Sequence, residues 1–385
     1  MKLDKLCILF TDGDWIESKD QSDSGIRLIQ TGNIGNGEFL YKNDKAKYIS
    51  VDTFKRLNCK EVFPNDILVS RLPEPVGRGC IIPDIGEKMI TAVDCTICRI
   101  NENLVDRKYF CYFLESNAYK TQLEQHVTGT TRKRISRKNL SSVEIDIPEQ
   151  AKQKEVVYKL DRLKKIIQNY NRELDLLDEL VRARFVEMFG DPVINSCQFP
   201  VQPMTDICDI IDGDRGKNYP KSEEILDDGY CLFLNAKNVT QKGFDFENCN
   251  FITREKDDAL RNGKLSRGDV VLTTRGTVGN LAYYSKNVPY ENIRINSGMV
   301  ILRMNRSILN EIYFIELFKM KLSDIKEKIA SGSAQPQLPI STMNKIILMI
   351  PPLELQNQFA SFVKEIDKSR LLSNHSLLLL KSIIF

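Results

Sequence analysis

An apolar stripe with a seven-residue period runs through the middle of the chain. No Pro or Gly interrupts residues 151–189, and most residues around the stripe are charged or carry amides. The stripe residues recur at alternating spacings of four and three: Val156, Leu160, Leu163, Ile167, Tyr170, Leu174, Leu177 and Val181. A narrow stripe of this kind is typical of a coiled-coil helix and not of a helix that lies on a sheet. At 1.5 Å per residue, the predicted helix spans roughly 55 Å.

A second stripe at the end of the chain matches the first one. Phe359 stands 203 positions after Val156, and the same offset applied to the other stripe residues gives a set of which six in eight are apolar: Phe359, Val363, Ile366, Arg370, Ser373, Leu377, Leu380 and Ile384. Two helices with matching stripes can pair with each other. The alternative is two ordinary core helices from unrelated domains, which we consider less favoured because the offset extends beyond the helices.

The same offset relates the segments that precede the two helices. Three pairs of short segments illustrate it, with offsets between 200 and 203: 12–14 and 212–214, 66–68 and 269–271, 147–148 and 350–351. A period near 200 is far longer than the roughly 20–50 residues of solenoid repeats, so the sequence indicates a duplicated domain.

The predicted fold class is therefore α+β, with two tandem mixed α/β domains that are joined and followed by the long helices. The predicted boundaries are 1–150 for the first domain, 151–190 for the first helix, 191–352 for the second domain and 353–385 for the second helix. Within the first domain, the sequence also predicts one helix over 106–123 and an exposed strand over 143–148.

Composition restricts the environment of the chain. The 385 residues carry a net charge of +3, so only local clusters of charge can indicate a partner. The N-terminus lacks the apolar segment of a secretory signal, and no apolar stretch approaches the roughly 18 residues needed to cross a membrane. The ten cysteines lie scattered in apolar segments. These features predict a cytoplasmic protein with reduced thiols and no membrane partner.

Familiar catalytic and metal-binding patterns are absent from the sequence. It contains neither a phosphate-binding Gly-x-x-x-x-Gly-Lys-Ser/Thr loop, nor a Gly-x-Gly-x-x-Gly turn, nor a Gly-x-Ser-x-Gly elbow. His126 and His375 have no metal-ligand spacing to a Cys or carboxylate. Cys95 and Cys98 form a lone Cys-x-x-Cys, for which two buried thiols are the better interpretation. We therefore predict no catalytic residue and no metal site in this chain.

Two corresponding loops carry different polar side chains. In the first half, five of the seven residues in 132–138 are basic, whereas Gln335 and Gln337 take the place of Arg132 and Arg134 in the second half. Arg suits a guanine edge and Gln an adenine edge, although a solvated charged loop is the commoner explanation of any single basic run. Together with two other pairs of loops, they define the candidate DNA-binding residues: Thr31, Asn33, Arg71, Arg78, Thr130, Arg132, Lys133, Arg134, Asn235, Asn238, Thr274, Arg275, Ser333, Gln335 and Gln337.

With these features, the chain resembles the specificity (S) subunit of type I restriction–modification systems. The resemblance covers the whole order of parts, and three stretches carry it most: Arg182–Pro192, Gly268–Gly279 and Ile350–Gln356. It implies that each domain is a target-recognition domain that reads one half of a bipartite, asymmetric site in double-stranded DNA. The long helices are then expected to pair antiparallel, to set the spacing of the half-sites and to dock two methyltransferase (modification) subunits.

The resemblance also distributes the other roles among subunits. The residues expected to form the coiled coil and the methyltransferase-docking region are Val156, Leu160, Leu163, Ile167, Leu174, Leu177, Phe359, Val363, Ile366, Leu377 and Leu380. No cofactor is expected in this chain, because S-adenosylmethionine, ATP and Mg belong to partner subunits, among them a restriction subunit where one is present. The chain is then a non-catalytic subunit of an adenine-specific DNA methyltransferase and restriction endonuclease complex. The first alternative is a coiled-coil scaffold with two protein-binding domains and no DNA binding. The second is a fused nuclease or methyltransferase, against which the missing catalytic motifs argue.

Overall fold

The computed structural model describes residues 1–73, 75–129, 132–329 and 337–384. The chain forms two compact units: unit 1 contains Met1–Asn171 with Asn374–Phe385, and unit 2 contains Arg172–Ser373. Each of the two long helices contributes residues to both units. Among the described residues, no helix has both the length and the apolar character needed to cross a bilayer.

The described residues of unit 1 form the strands β1 (Cys7–Asp12), β2 (Gln21–Ser22), β3 (Ile26–Ile29), β4 (Tyr48–Ile49), β5 (Glu61–Val62), β6 (Ile67–Ser70), β7 (Gly79–Ile81), β8 (Met89–Thr91) and β9 (Cys95–Ile100). The helices that begin in this unit are α1 (Val51–Arg56), α2 (Arg107–Glu115), α3 (Asn117–Glu124), α4 (Arg137–Ser142) and the long α5 (Gln150–Phe189).

Two sheets form the core of unit 1. The first has the order β1-β9-β6-β7 and is antiparallel, and the second has the order β2-β4-β3-β8-β5 with β3 and β8 parallel. Side chains alternate along β6: Ile67 and Val69 pack with α2 and α3, whereas Leu68 packs in a cluster with Ile29 and Met89 of the second sheet. Because both faces of β6 are covered, its first three residues are all apolar, and the buried Ser70 ends the strand.

Unit 2 repeats this plan. Its strands are β10 (Val201–Pro203), β11 (Cys208–Asp212), β12 (Cys231–Leu234), β13 (Val239–Thr240), β14 (Gly243–Phe244), β15 (Phe251–Ile252), β16 (Val270–Thr273), β17 (Leu281–Tyr283), β18 (Ile293–Ile295), β19 (Met299–Met304) and β20 (Ile347–Met349). Its helices are α6 (Met204–Ile207), α7 (Arg254–Ala259), α8 (Glu311–Ile329), α9 (Ile340–Met343) and α10 (Leu353–Ile384).

The sheet topology confirms the duplication. The main sheet of unit 2 has the order β11-β19-β16-β17, strand for strand the counterpart of β1-β9-β6-β7. Its smaller sheet, β15-β12-β18, again contains a parallel pair, β12 with β18. The offset of about 200 residues therefore predicted a repeated three-dimensional plan and not merely a repeated composition.

The long helices pair antiparallel, as the resemblance implied. Within unit 2, Phe185 of α5 packs against Phe359 of α10 with ring centroids 5.4 Å apart. Further along, Arg370 Nη2 donates to Asp178 Oδ1 at 2.5 Å and Ser373 Oγ donates to Glu173 Oε1 at 3.1 Å. Along these three contacts the residue numbers decrease on α5 and increase on α10, so the two helices run in opposite directions. The stripe residues of both helices are buried or half-buried wherever their side chains are described.

Two local predictions in unit 1 are wrong. The single helix predicted over 106–123 is broken at Ser116, whose side chain accepts a hydrogen bond from Tyr119 N at 3.2 Å and so caps a new helix. Residues 143–148 contain no strand and make only an isolated bridge between Glu144 and Lys2. Their N-terminal partner turns at once into the short 3-10 helix Leu3–Leu6, which leaves no extended segment to pair with.

Candidate nucleic-acid interface

Arg71 joins four segments at the end of the main sheet of unit 1. Its guanidinium donates to Val93 O at 2.5 Å and to Ile135 O at 3.3 Å, and its Nε lies 3.3 Å from Asp12 Oδ1. Its main chain accepts from Ile135 N and donates to Asp94 O. Only 14% of its side chain is exposed. Arg71 therefore fixes the positions of the neighbouring loops instead of presenting a free guanidinium.

The basic loop lies directly beside this junction. Thr128 and Arg134 close it with two main-chain hydrogen bonds of 2.9 Å. Gly129 has a φ of +101°, and a Cβ there would stand 2.4 Å from Arg132 O, so the tight turn requires glycine. Arg132, Lys133 and Arg134 are all exposed, whereas Thr130 lies outside the described residues. The loop thus presents three cationic side chains on a closed turn.

A groove of about 570 Å³ opens between the basic loop, α3 and residues 75–78. Apolar and cationic side chains both line it, among them Leu114, Leu123, Val127, Arg78, Lys120 and Lys133. Arg78 also donates to Thr31 O at 3.4 Å, which ties the groove to the loop after β3. The structure therefore brings together the predicted residues Thr31, Arg71, Arg78 and 132–134 at one end of unit 1.

The asparagines that follow β3 and β12 have structural partners. Asn33 Nδ2 donates to Leu40 O at 2.9 Å, and Asn238 Nδ2 donates to Asp245 O at 3.0 Å and Asn248 O at 2.9 Å. Both side chains are buried, at 7% and 1% exposure. Asn235 accepts from Lys237 N at 2.9 Å. These amides shape their loops in both units, which leaves Asn33 and Asn238 poorly placed to reach a base edge.

Unit 2 assembles the corresponding loops with different chemistry. Thr274 is buried, and its hydroxyl donates to Gly298 O at 3.0 Å. Arg275 and Gln337 are exposed and form a main-chain bridge, and a cavity of about 240 Å³ lies beside them. Asp212 and Arg215, an ion pair with an O–N distance of 3.0 Å, also line this cavity. Ser333 and Gln335 lie outside the described residues.

A repeated Asp-Gly-Asp segment anchors the first strand of each main sheet. A Cβ on Gly13 would stand 2.3 Å from Thr91 O, and one on Gly213 would stand 2.2 Å from Asn296 O. Asp14 accepts from Lys60 N, and Asp214 accepts from Arg261 N, both at 2.6 Å. Burial alone would raise the pKa of Asp214, but the main-chain N–H groups of Arg261 and Asn262 donate to its carboxylate, outweigh burial and lower that pKa. The repeat was visible in the sequence, but this anchoring function was not.

The helices have two kinds of apolar surface. The stripe residues predicted for the coiled coil are buried or half-buried; Leu160, Leu174 and Leu380 are among the half-buried ones. Four other leucines of α10 are 54–72% exposed: Leu371, Leu372, Leu378 and Leu379. On α5, Leu176 and Leu180 are also exposed. Leu371 and Leu378 are seven residues apart, as are Leu372 and Leu379, so the four leucines form one face of α10. We call this surface the outer leucine face.

Comparisons with known proteins agree with this architecture. Residues 1–178 and 199–381 match the family described as the type I restriction modification DNA specificity domain. The chain is 22% identical over 383 residues to the type I restriction enzyme MjaIX specificity subunit of Methanocaldococcus jannaschii, covering 95% of this chain and 85% of that protein. It is also 22% identical over 330 residues to the MjaVIII specificity subunit of the same organism, covering 82% and 75%.

Two solved structures share the fold. The S subunit of a type I restriction–modification system from M. genitalium superposes with a TM-score of 0.54 at 17% identity, covering 100% of this chain and 93% of that one. A chain reported for complex assembly and conformational transition of the type I R-M system gives 0.57 at 14% identity, covering 100% and 94%. Since the family match takes in most of the sequence, the chain belongs to the family of type I restriction–modification DNA specificity subunits.

Proposed function

We propose that this chain gives a type I restriction–modification complex its DNA sequence specificity. Unit 1 reads one half of a bipartite, asymmetric site in double-stranded DNA, and unit 2 reads the other half. The paired helices set the spacing between the half-sites and dock two methyltransferase subunits. Catalysis then belongs to the partners, which bring S-adenosylmethionine and, where a restriction subunit is present, ATP and Mg.

One observation carries the proposal. Two units of the same topology present loops at the same position, and the exposed side chains of those loops differ. Unit 1 offers Arg132, Lys133 and Arg134, whereas unit 2 offers Arg275 and Gln337. Cationic side chains suit phosphates and guanine edges, and Gln suits an adenine edge. Two units with the same fold but different side chains in the corresponding loops can recognise two different half-sites.

Burial and hydrogen bonding guide which of the predicted residues we propose as contacts with bases. Arg71, Asn33, Asn238 and Thr274 are engaged in hydrogen bonds that hold loops together. We assign them to positioning. The exposed residues of the basic loop, with Arg275 and Gln337, are then the better candidates for contacts with DNA.

The outer leucine face supports docking of a protein partner. Its four leucines, Leu371, Leu372, Leu378 and Leu379, are 54–72% exposed on one helix and do not belong to the stripe. Contiguous exposed apolar surface usually marks a protein interface. We therefore place methyltransferase contacts on this face, with the buried stripe residues serving the pairing of α5 with α10.

The decisive experiment is a genome-wide map of methylated adenine in cells that express the cognate methyltransferase, with and without this chain. A gapped, asymmetric motif that appears only with the chain supports the proposal and identifies both half-sites. Identical maps would favour a scaffold without DNA targeting.

A pair of variants separates docking from recognition in the same assay. Leu371→Glu with Leu378→Glu should remove the motif and prevent co-purification of the methyltransferase, because two charges then occupy the apolar face. Gln358→Glu adds a charge at an exposed polar position of the same helix, more than three turns before Leu371, and should change neither. Wild-type assembly by the leucine variant would move the docking site elsewhere.

A further inference from the structure

Trp15 is the only tryptophan of the chain, and 71% of it is exposed. Its indole Nε1 donates a hydrogen bond to Glu17 Oε1 at 3.4 Å. Trp has the largest apolar side chain and is enriched at interfaces, so contact with a partner would remove a large apolar area from water. Sequence reasoning did not select this residue, because its exposure follows only from the fold.

The main chain around Trp15 is held on both sides. Asp14 N donates to Thr91 O, and Asp14 O accepts from Val93 N, each at 2.9 Å. On the other side, Ile16 packs into an apolar cluster with Ile26 and Leu28. The indole is therefore presented outward from a fixed backbone and cannot turn into the core without breaking these contacts.

A chain of hydrogen bonds links Trp15 to the end of unit 1 that carries the basic loop. Asp14 bonds to Val93, Val93 O accepts from the Arg71 guanidinium, and Arg71 O accepts from Ile135 N at the end of the basic loop. Trp15 is thus linked through three hydrogen-bonded residues to the loop that presents Arg132, Lys133 and Arg134.

The acidic residues near Trp15 do not make this surface repel DNA, because each of four carboxylates has a cationic partner. Asp12 lies 3.3 Å from Arg71 and 3.9 Å from Arg137. The other three are paired at 2.6–3.1 Å: Asp14 with Lys60, Glu17 with Lys19 and Asp20 with Arg56. The local charge is close to balanced, which suits contact through an aromatic face better than contact through phosphates.

We propose that Trp15 stacks against a base of the DNA bound by unit 1. Proteins use large apolar side chains as wedges at base steps, and aromatic rings as stacking partners for bases. The corresponding residue in unit 2, 200 positions later, is Arg215, which is folded back onto Asp212 and donates to Ser297 O at 3.3 Å. The stacking contact therefore belongs to one half-site only. This inference rests on the proposed function and adds a residue to it.

Incorporation of 5-hydroxytryptophan into this chain alone provides a direct readout. The labelled chain is assembled with unlabelled methyltransferase subunits and excited beyond the absorption of ordinary tryptophan, so that the emission comes from position 15. Addition of a duplex with the mapped site should quench the emission. A duplex with a scrambled unit 1 half-site should quench much less, whereas scrambling the unit 2 half-site should leave quenching intact once the complex is saturated.

Affinity measurements complete the test. Trp15→Ala should weaken binding of the mapped duplex by roughly 5- to 150-fold, the range that one lost stacking contact produces. Trp15→Phe keeps an aromatic ring and should retain most of the affinity. Phe63→Ala is the matched control, since Phe63 is an aromatic residue of unit 1, 45% exposed, that precedes β6 and so lies at the opposite end of that strand from Arg71.

Each outcome is distinct. Unchanged emission together with wild-type affinity of Trp15→Ala overturns the assignment while leaving the proposed function intact. Loss of methyltransferase assembly in Trp15→Ala and Trp15→Phe, with DNA affinity of the remaining complex unchanged, makes Trp15 a protein contact and also overturns it. If the complex binds the mapped and scrambled duplexes equally, it is the proposed function that fails.

Discussion

The small sheets of the two units occupy the same place in the repeat but are stabilised differently. In unit 1, Phe54 of α1 packs in an apolar cluster with Ile90 of β8. At the corresponding positions, unit 2 has Asp257 of α7 and Arg294 of β18, which are 0% and 5% exposed. Arg294 Nε donates to Asp257 Oδ1, and Lys264 donates to Asp257 Oδ2 at 2.5 Å. An apolar contact in one unit is therefore a buried ion pair in the other.

The comparison separates what the topology requires from what it tolerates. Both small sheets keep a parallel pair of strands, with Leu28 opposite Ile90 in unit 1 and Phe233 opposite Arg294 in unit 2. The main-chain ladder is common, and the side chains that fill the space are not. In unit 2 the guanidinium also caps carbonyls that end α7, with 2.8 Å to Asp257 O and 3.0 Å to Leu260 O.

Removing one partner of the buried ion pair should destabilise unit 2 more than any other change considered for this sheet. Asp257→Asn leaves Arg294 buried without its carboxylate, and the loss of one partner of a buried pair costs about 3–5 kcal/mol. Peptide-resolved hydrogen exchange should show a lower opening free energy for β12 and β18. Peptides of β3 and β8 in unit 1 serve as the internal control and should be unchanged.

A double variant tests whether the two side chains stabilise unit 2 as a pair. Asp257→Phe with Arg294→Ile installs the unit 1 residues in unit 2. It removes both charges, so it should be less destabilising than the sum of the two single changes, although the carbonyls that Arg294 caps then lose their donor. Additive costs would mean that the two side chains do not stabilise unit 2 as a pair.

Acid should also destabilise this part of unit 2, by no more than Asp257→Asn does. Burial alone would raise the pKa of Asp257, but hydrogen bonds from Lys264 and Arg294 outweigh burial and lower it. A depressed folded pKa means that the stabilisation is present above the unfolded pKa of about 3.9 and is lost as the pH falls through the folded value. The opening free energy of β12 and β18 should therefore be higher in the wild type than in Asp257→Asn above about pH 4, and this difference should disappear at lower pH. Hydrogen exchange at a series of pH values measures it.

A pH-independent gap between the two proteins would show that ionisation of Asp257 contributes nothing. The neighbouring Cys231 does not complicate the measurement. Burial and the charge of Asp257 raise the pKa of its thiol to about 12, so it stays protonated throughout this range.

The sequence predicted the repeat and the helices well because both rest on periodic patterns. The stripe from Val156 to Val181 was recognisable from its spacing alone. The correspondence between strands of the two units, such as β6 and β16, followed from a constant offset in the sequence. The role of Arg71 could not be predicted in this way, because its partners Val93 and Ile135 are distant in sequence. The same holds for Asn238, which was selected for its amide and proved to be buried. A side chain of a given type can be exposed to solvent, or it can be buried and hold neighbouring segments together. Which of the two applies depends on contacts that only the fold creates.

The smallest effects concern the exposed loops, where the two units differ in charge. Replacing Arg132, Lys133 and Arg134 with Ala removes up to three phosphate contacts from unit 1. Each phosphate neutralised contributes about 0.9 to the slope of log affinity against log salt, so the slope should fall by up to roughly 2.7. Filter binding of the assembled complex to the mapped duplex at several salt concentrations gives this slope. Assembly with the methyltransferase should be intact.

The corresponding change in unit 2 should behave differently. Arg275→Ala with Gln337→Ala removes a single cation, so the salt slope should fall by at most about 0.9, while discrimination at the unit 2 half-site should relax, because an amide reads base edges and does not neutralise phosphates. Measuring both variants against duplexes altered in each half-site separates the two kinds of contact. Equal changes in salt slope, or no change in discrimination, would mean that the difference between the loops is a difference of solvated surface and that bases are read elsewhere in the unit.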